Sequence, residues 1–227
     1  MTGSGKTALA RAMVASLVIS NHQGAIQLAM IDLKRRGFGV FEGLPHLLCP
    51  VAASLEEAVV VLRMLIKEME RRDRAGIIAP RIVLFVDELA ELMMQGGKEV
   101  EEALTRLMQR GREAGIHLVA CTQKPLAGVI GSLVKANFPA RVVGKVASAE
   151  DARVAAGISD SGAEQLKGKG EFVVIAGGSQ VRVQGAWISE EEIRKLVRLL
   201  QASRNWRGSR SEYSRRCRVA LAACAPK

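Results

Sequence analysis

An α/β fold with a mainly parallel sheet is what this 227-residue sequence predicts, and three observations carry that prediction. Short apolar runs lack the alternation of a strand with one wet face, so they read as strands covered on both sides. They alternate with longer stretches of helical periodicity, the pattern of a parallel sheet built from strand–helix units. The chain also opens with a Gly/Ser loop that leads directly into the first helical stretch.

In chain order, Lys6 to Ser20 reads as that first helix, and Ala25–Ile31 as a buried strand that ends at Asp32. A Gly/Pro-punctuated loop covers 37–53. Ser54 with Glu57 has capping-box spacing and starts a helix that runs to about Arg74. Ile82–Val86 is the clearest strand: five consecutive apolar residues bounded by Arg81 and Asp87. A helix over 98–113 leads to the strand His117–Cys121, which ends in Thr122-Gln123. Arg141–Val146 reads as a strand, and Ala149–Ala156 and Ser161–Leu166 as short helices. Phe172–Ile175 and Val181–Gln184 flank Gly177-Gly178 as a hairpin, and Ser189–Leu200 is a capped amphipathic helix.

The 33 lysines and arginines outnumber the 23 aspartates and glutamates, giving a net charge of +10. That excess is uneven. Residues 201–227 carry seven basic groups and one acid, a net +6, which leaves +4 for the rest. Trp206 and Tyr213 lie among the arginines of this stretch, a composition suited to phosphate contact and stacking in a segment unstructured until bound. The longest stretch free of charged residues, Ala12–Ile31, has Ser20, Asn21, His22, Gln23 and Gly24 at its middle, which disfavours membrane insertion. Cys49, Cys121, Cys217 and Cys224 form no CxxC pair, and no basic-then-apolar leader opens the chain. These features predict a soluble, cytoplasmic protein with reduced cysteines.

The chemistry concentrates at three strand or loop ends. Thr2-Gly3-Ser4-Gly5-Lys6-Thr7 completes the right-hand end of the phosphate-loop pattern GxxxxGK[ST], whose first glycine falls one position before Met1. Small residues let the N–H groups of Thr2 through Ala8 point at a phosphate, with the helix dipole behind them. Lys6 is placed to reach the β- and γ-phosphates of ATP, and Thr7 to ligate Mg²⁺. Asp87 and Glu88 follow the clearest strand; the first suits Mg²⁺, the second the work of a general base on the attacking water. Gln123, after the next strand, can sense the γ-phosphate or orient that water. A carboxylate beside the metal-binding Asp, with a polar residue on the following strand, indicates the additional-strand branch of phosphate-loop ATPases.

The stretches TGSGKT (2–7), IDLKR (31–35), EMERR (68–72), VDELAELMM (86–94), GREAGIHLVACTQKP (111–125), VKANFPARV (134–142) and GAEQLKGKGEFVV (162–174) go beyond generic nucleotide binding. In their order and content they resemble the motor domain of the FtsK/SpoIIIE family of bacterial DNA translocases. The resemblance implies a RecA-like ATPase of the additional-strand, HerA/FtsK type, assembling as a homo-hexamer around double-stranded DNA and driving the duplex through its channel. It carries Lys6, Thr7, Asp87, Glu88 and Gln123 over as nucleotide-site residues. A ring motor also needs an arginine acting on the neighbouring subunit's site. Arg112, Arg141 and Arg153 are the candidates, and an ordinary surface ion pair is the expected role of at least two of them.

Residues 1–200 are thus expected to form the motor domain and 201–227 a basic tail. The strand that feeds the phosphate loop in this topology lies before Met1, so the fold is expected to lack it. Its two neighbours would then keep unpaired ladder groups at a cost of several kcal/mol, comparable to a domain's whole stability. Met1 reads as an internal start or fragment boundary. Two other readings stand beside a chromosome-segregating motor: a ring ATPase that pumps DNA in conjugation or packaging, and a non-catalytic DNA-binding fragment of such a motor.

Overall fold

The computed structural model describes residues 5–123 and 137–203. Their strands form two three-stranded sheets. The first is parallel in the order β1 (Ile26–Ile31), β2 (Arg81–Val86), β3 (Ile116–Ala120), with Ile31 beside Val86 and Val86 beside Ala120. Its helices are α1 (Lys6–Ser20), α2 (Leu55–Ala75) and α3 (Leu89–Arg110), followed along the chain by α4 (Ala149–Ala156) and α5 (Glu190–Ala202).

Both faces of the parallel sheet are covered, which is why its strands show no alternation in sequence. Ala29, Ile31, Ile82, Leu84 and Val86 pack in one core with α2 and α3. The alternate residues Ile26, Leu28, Met30, Val83 and Phe85 pack in a second core with α1 and α5. Helix α2 starts at the capping box: Ser54 accepts from the Glu57 N–H, and Glu57 accepts from the Ser54 N–H. Such a cap contributes about 1 kcal/mol. Ser189 and Glu192 repeat the arrangement at α5.

Helix α3 begins at Leu89, earlier than the sequence suggests. Gly97 leaves helical geometry (φ 53°, ψ −143°), but the chain is helical on both sides of it. Leu89, Ala90, Leu92 and Met93 supply the reason, since all four are buried in the core shared with α2.

In the second sheet, β4 (Ala140–Gly144) pairs antiparallel with β5 (Glu171–Ala176), and β5 with β6 (Ser179–Gln184). Gly177 and Gly178 both take positive φ (56° and 76°), as a two-residue hairpin turn compatible with strand twist requires. Val143, Val173, Ala152, Ala156, Ala163 and Leu166 form a small separate core under α4. No strand among the described residues joins β3 to β4. Beyond Ile116, β3 is only half-buried. No helix among the described residues is long and apolar enough to cross a membrane.

Candidate functional site

Parallel pairing gathers the C-terminal ends of β1, β2 and β3 at one edge, beside the start of α1. Gly5 precedes α1 with φ 89°, a conformation that strongly favours glycine. It also lies against the second sheet: a Cβ there would stand 3.1 Å from Gly170 Cα. Lys6 and Thr7 open the helix, and the Thr7 hydroxyl donates to Asp87 Oδ1 at 3.4 Å across 80 residues of sequence.

Asp87 continues the ladder past β2, its N–H donating to Ile31 O. A second carboxylate sits alongside. Asp32 is 1% exposed and accepts from the N–H groups of Arg36, Gly37 and Phe38, folding the 33–38 loop tightly around itself. Gly37 then rests on Asp87; a Cβ at that position would be 2.9 Å from Asp87 Cγ. Arg11 of α1 clamps the same loop by donating to Gly37 O and Arg36 O, each at 2.7 Å, and pairs with Glu190 at the start of α5. Lys34 pairs with Glu91 in the first turn of α3.

Glu88 occupies the N-cap position of α3, yet its side chain makes no capping hydrogen bond. It turns instead to the end of β3, accepting from Thr122 Oγ1 at 2.6 Å and from the Gln123 N–H at 3.0 Å. Two ladder bonds beyond the strands, Cys121 N–H to Val86 O and Leu89 N–H to Cys121 O, hold these ends level. The carboxylate is therefore presented by strand pairing and not spent on the helix.

The electrostatics follow from crowding. Burial and the Asp32 carboxylate push the Asp87 carboxyl above its ordinary value, against the pull of the Thr7 hydrogen bond. Burial draws the Lys6 ammonium below its ordinary value, although Glu88 and Asp87 oppose the change. Desolvation and the nearby Asp87 charge push the half-buried Cys121 thiol up to about 12, so it stays protonated. Asp87 and the Thr7 hydroxyl thus form a pair of hard oxygen donors that suits Mg²⁺.

Lys6, Thr7, Asp87 and Glu88 come together, with Gln123 joined through its backbone N–H. Ala8 lies half-buried in the first turn of α1. Thr2, Gly3 and Ser4 lie outside the described residues, as does the basic stretch from Arg204 onward. The three arginines do not join the cluster. Arg141 donates to Ala156 O at the end of α4, and Arg153 pairs with Glu150. Arg112 is exposed in the turn before β3 and makes no ion pair among the described residues. Sequence reasoning did not single out Asp32, Arg11, Gly37 or Thr122 as parts of the site. The signals were a lone Asp and a glycine next to a strand end, whose partners are distant in sequence.

Comparison with known proteins agrees in fold and family. The sequence profile of the FtsK/SpoIIIE family matches residues 1–75 and 73–127. The chain is 35% identical to the DNA translocase FtsK of Tropheryma whipplei, over 88% of this chain and 31% of that protein. It is 37% identical to the DNA translocase FtsK of Staphylococcus aureus, over 86% of this chain and 28% of that protein. It therefore spans about a third of the length of these relatives. Among solved structures, the conjugation coupling protein TcpA of pCW3, in a monomer form with ATPgS, superposes with a TM-score of 0.74 at 24% identity, covering 88% of this chain and 62% of TcpA. The cytoplasmic domain of the type VII secretion ATPase EccC from Thermomonospora curvata gives 0.74 at 22% identity, over 89% of this chain and 27% of EccC.

Proposed function

The chain belongs to the FtsK/SpoIIIE family, and from that premise we propose that it hydrolyses ATP to move double-stranded DNA in the cytoplasm. The observation that carries the proposal is the meeting of Thr7 and Asp87, 80 residues apart, with Glu88 beside them on the strand-end edge. A phosphate-loop string alone has no such partner; here the loop's hydroxyl and the strand-end carboxylate are paired in space.

The backbone N–H groups around Gly5–Ala8 and the Lys6 ammonium bind the triphosphate, the loop supplying dipoles and Lys6 a full charge. Thr7 and Asp87 would hold Mg²⁺, which would supply positive charge to offset that of the triphosphate. Glu88 accepts the proton of the attacking water, and Thr122 and the Gln123 N–H hold that carboxylate in place meanwhile. Gln123 carries the state of the γ-phosphate into β3.

Arg112 is our choice for the arginine that acts in trans. It precedes β3 and so lies at the N-terminal edge of the parallel sheet, about 15 Å of strand away from its own site. That position keeps it from its own nucleotide, and with no ion pair among the described residues its guanidinium can serve a neighbouring copy in a head-to-tail homo-hexamer. Arg141 and Arg153 already have partners within the subunit.

The test is steady-state ATP turnover with and without linear duplex DNA. DNA-stimulated hydrolysis that Lys6→Ala abolishes is expected. Salt-sensitive DNA binding with no turnover at any protein concentration would overturn the proposal and favour a DNA-binding role without catalysis.

A further inference from the structure

The residues named so far account for phosphates, metal and water, and leave the base of the nucleotide without a contact. The segment after β6 supplies one. The Gly185 N–H donates to Gly170 O at 2.7 Å, and a Cβ on Gly185 would stand 3.3 Å from Leu9 Cδ1 of α1 and 2.9 Å from Phe172 Cε2. Gly170 in turn abuts Gly5. Three glycines thus bring the phosphate loop, the start of β5 and the segment after β6 into direct contact. Three residues beyond Trp187, Glu190 pairs with Arg11 at 3.0 Å, and Ile188 packs on the core that includes Ala10 and Val14. The segment 185–190 is pinned along the first turns of α1 at both ends.

Trp187 lies between these pins and is 74% exposed, more than any other large hydrophobic side chain among the described residues. Two residues from Gly185, its Cα is within about 7 Å of the residue that touches Leu9. An indole held at the surface by a backbone pinned on both sides offers a pre-organised π-face to a ligand. The flanking site narrows its chemistry, because the contacts through Gly5, Gly170 and Gly185 set this segment next to the start of α1, where a nucleotide's phosphates would lie.

We propose that Trp187 is the nucleobase platform of the site, its indole stacking on the base of the bound nucleoside triphosphate; this rests on the phosphate-loop reading above. Every base offers a π-face, so the platform adds affinity with little discrimination among bases.

The test uses the full chain with Trp206→Phe, which leaves Trp187 as the sole tryptophan. Indole emission and calorimetry are followed during titration with ATP and, separately, with inorganic triphosphate. Expected is saturable quenching by ATP and none by triphosphate. In Trp187→Ala, ATP affinity should fall roughly ten-fold while triphosphate affinity holds, and Trp187→Phe should restore most of the loss. If ATP binds by calorimetry with emission unchanged and Trp187→Ala binds it equally well, the platform is refuted and the phosphate loop stands. Binding of neither ligand would sink both readings. A self-association lost in Trp187→Ala with ATP affinity intact would make the indole an intersubunit contact and also overturn the proposal.

Discussion

At the scale of single residues, the decisive fact is where Glu88 spends its hydrogen bonds. A carboxylate at a helix N-cap ordinarily accepts from the helix's own N–H groups. Glu88 instead accepts from Thr122 and Gln123, and the bond to the Thr122 hydroxyl, at 2.6 Å, is short. Glu88→Gln preserves shape and removes the base. ATP turnover should fall by about 10²–10⁴-fold while ATP binding persists, as single-turnover and equilibrium measurements would separate. Loss of binding in step with turnover would move Glu88 from catalysis to structure. Cys121 has the opposite character. Its thiol is pushed up to about 12 because desolvation and Asp87 disfavour the thiolate, so it is a packing group at the edge of the cluster.

Elements position the site through two buried carboxylates. Asp32 ties down the loop that rests on Asp87, and Glu68 does the equivalent at the far edge of the sheet. Glu68 in α2 pairs with Arg72 at 2.8 Å, both nearly fully buried, and Arg72 reaches Ala114 O in the turn that carries Arg112. Burial by itself would raise the Glu68 carboxyl, but hydrogen bonds from Arg71 and Arg72 prevail and hold it below its ordinary 4.5. A folded-state value below the unfolded one means stability that is complete above about pH 4.5 and lost as pH falls through the folded value. Glu68→Gln strands the Arg72 charge and should cost about 3 kcal/mol at pH 7. In urea melts the gap between wild type and variant should narrow below pH 4.5, where Glu68 itself becomes neutral. A gap constant with pH would mean that the ion pair is not what is lost.

For the whole molecule, charge and chemistry are divided. The net charge of +10 is mostly that of residues 201–227, which hold +6, while the proposed nucleotide site is built from residues 5–123. Phosphate contacts by lysine and arginine release counterions, so affinity supplied by the basic stretch must fall steeply with salt. Removing 201–227 should weaken DNA binding at low salt and flatten its salt dependence, with ATP affinity unchanged. Equal loss of both would contradict this division. The two sheets show a similar separation, since each has its own core and they meet at the phosphate loop through Gly5, Gly170 and Phe172.

Sequence alone determined the elements and the chemical inventory. Capping boxes at Ser54 and Ser189, the apolar run ending at Asp87 and the GKT string are local patterns, and local backbone preferences and burial on both faces of a strand are written in neighbouring residues. Gly97 shows the limit of that logic, because tertiary packing of Leu92 and Met93 carried a helix up to a residue that should stop one. Only the tertiary structure decided the partnerships. It brought Thr7 to Asp87, gave Glu88 to Thr122, set Asp32 and Gly37 behind Asp87, and left Arg112 without an ion pair among the described residues while engaging Arg141 and Arg153. It also divided the strands into two sheets and pinned the segment on which Trp187 stands. These contacts join residues tens of positions apart, and they depend on strand order and register, which no short window of sequence contains.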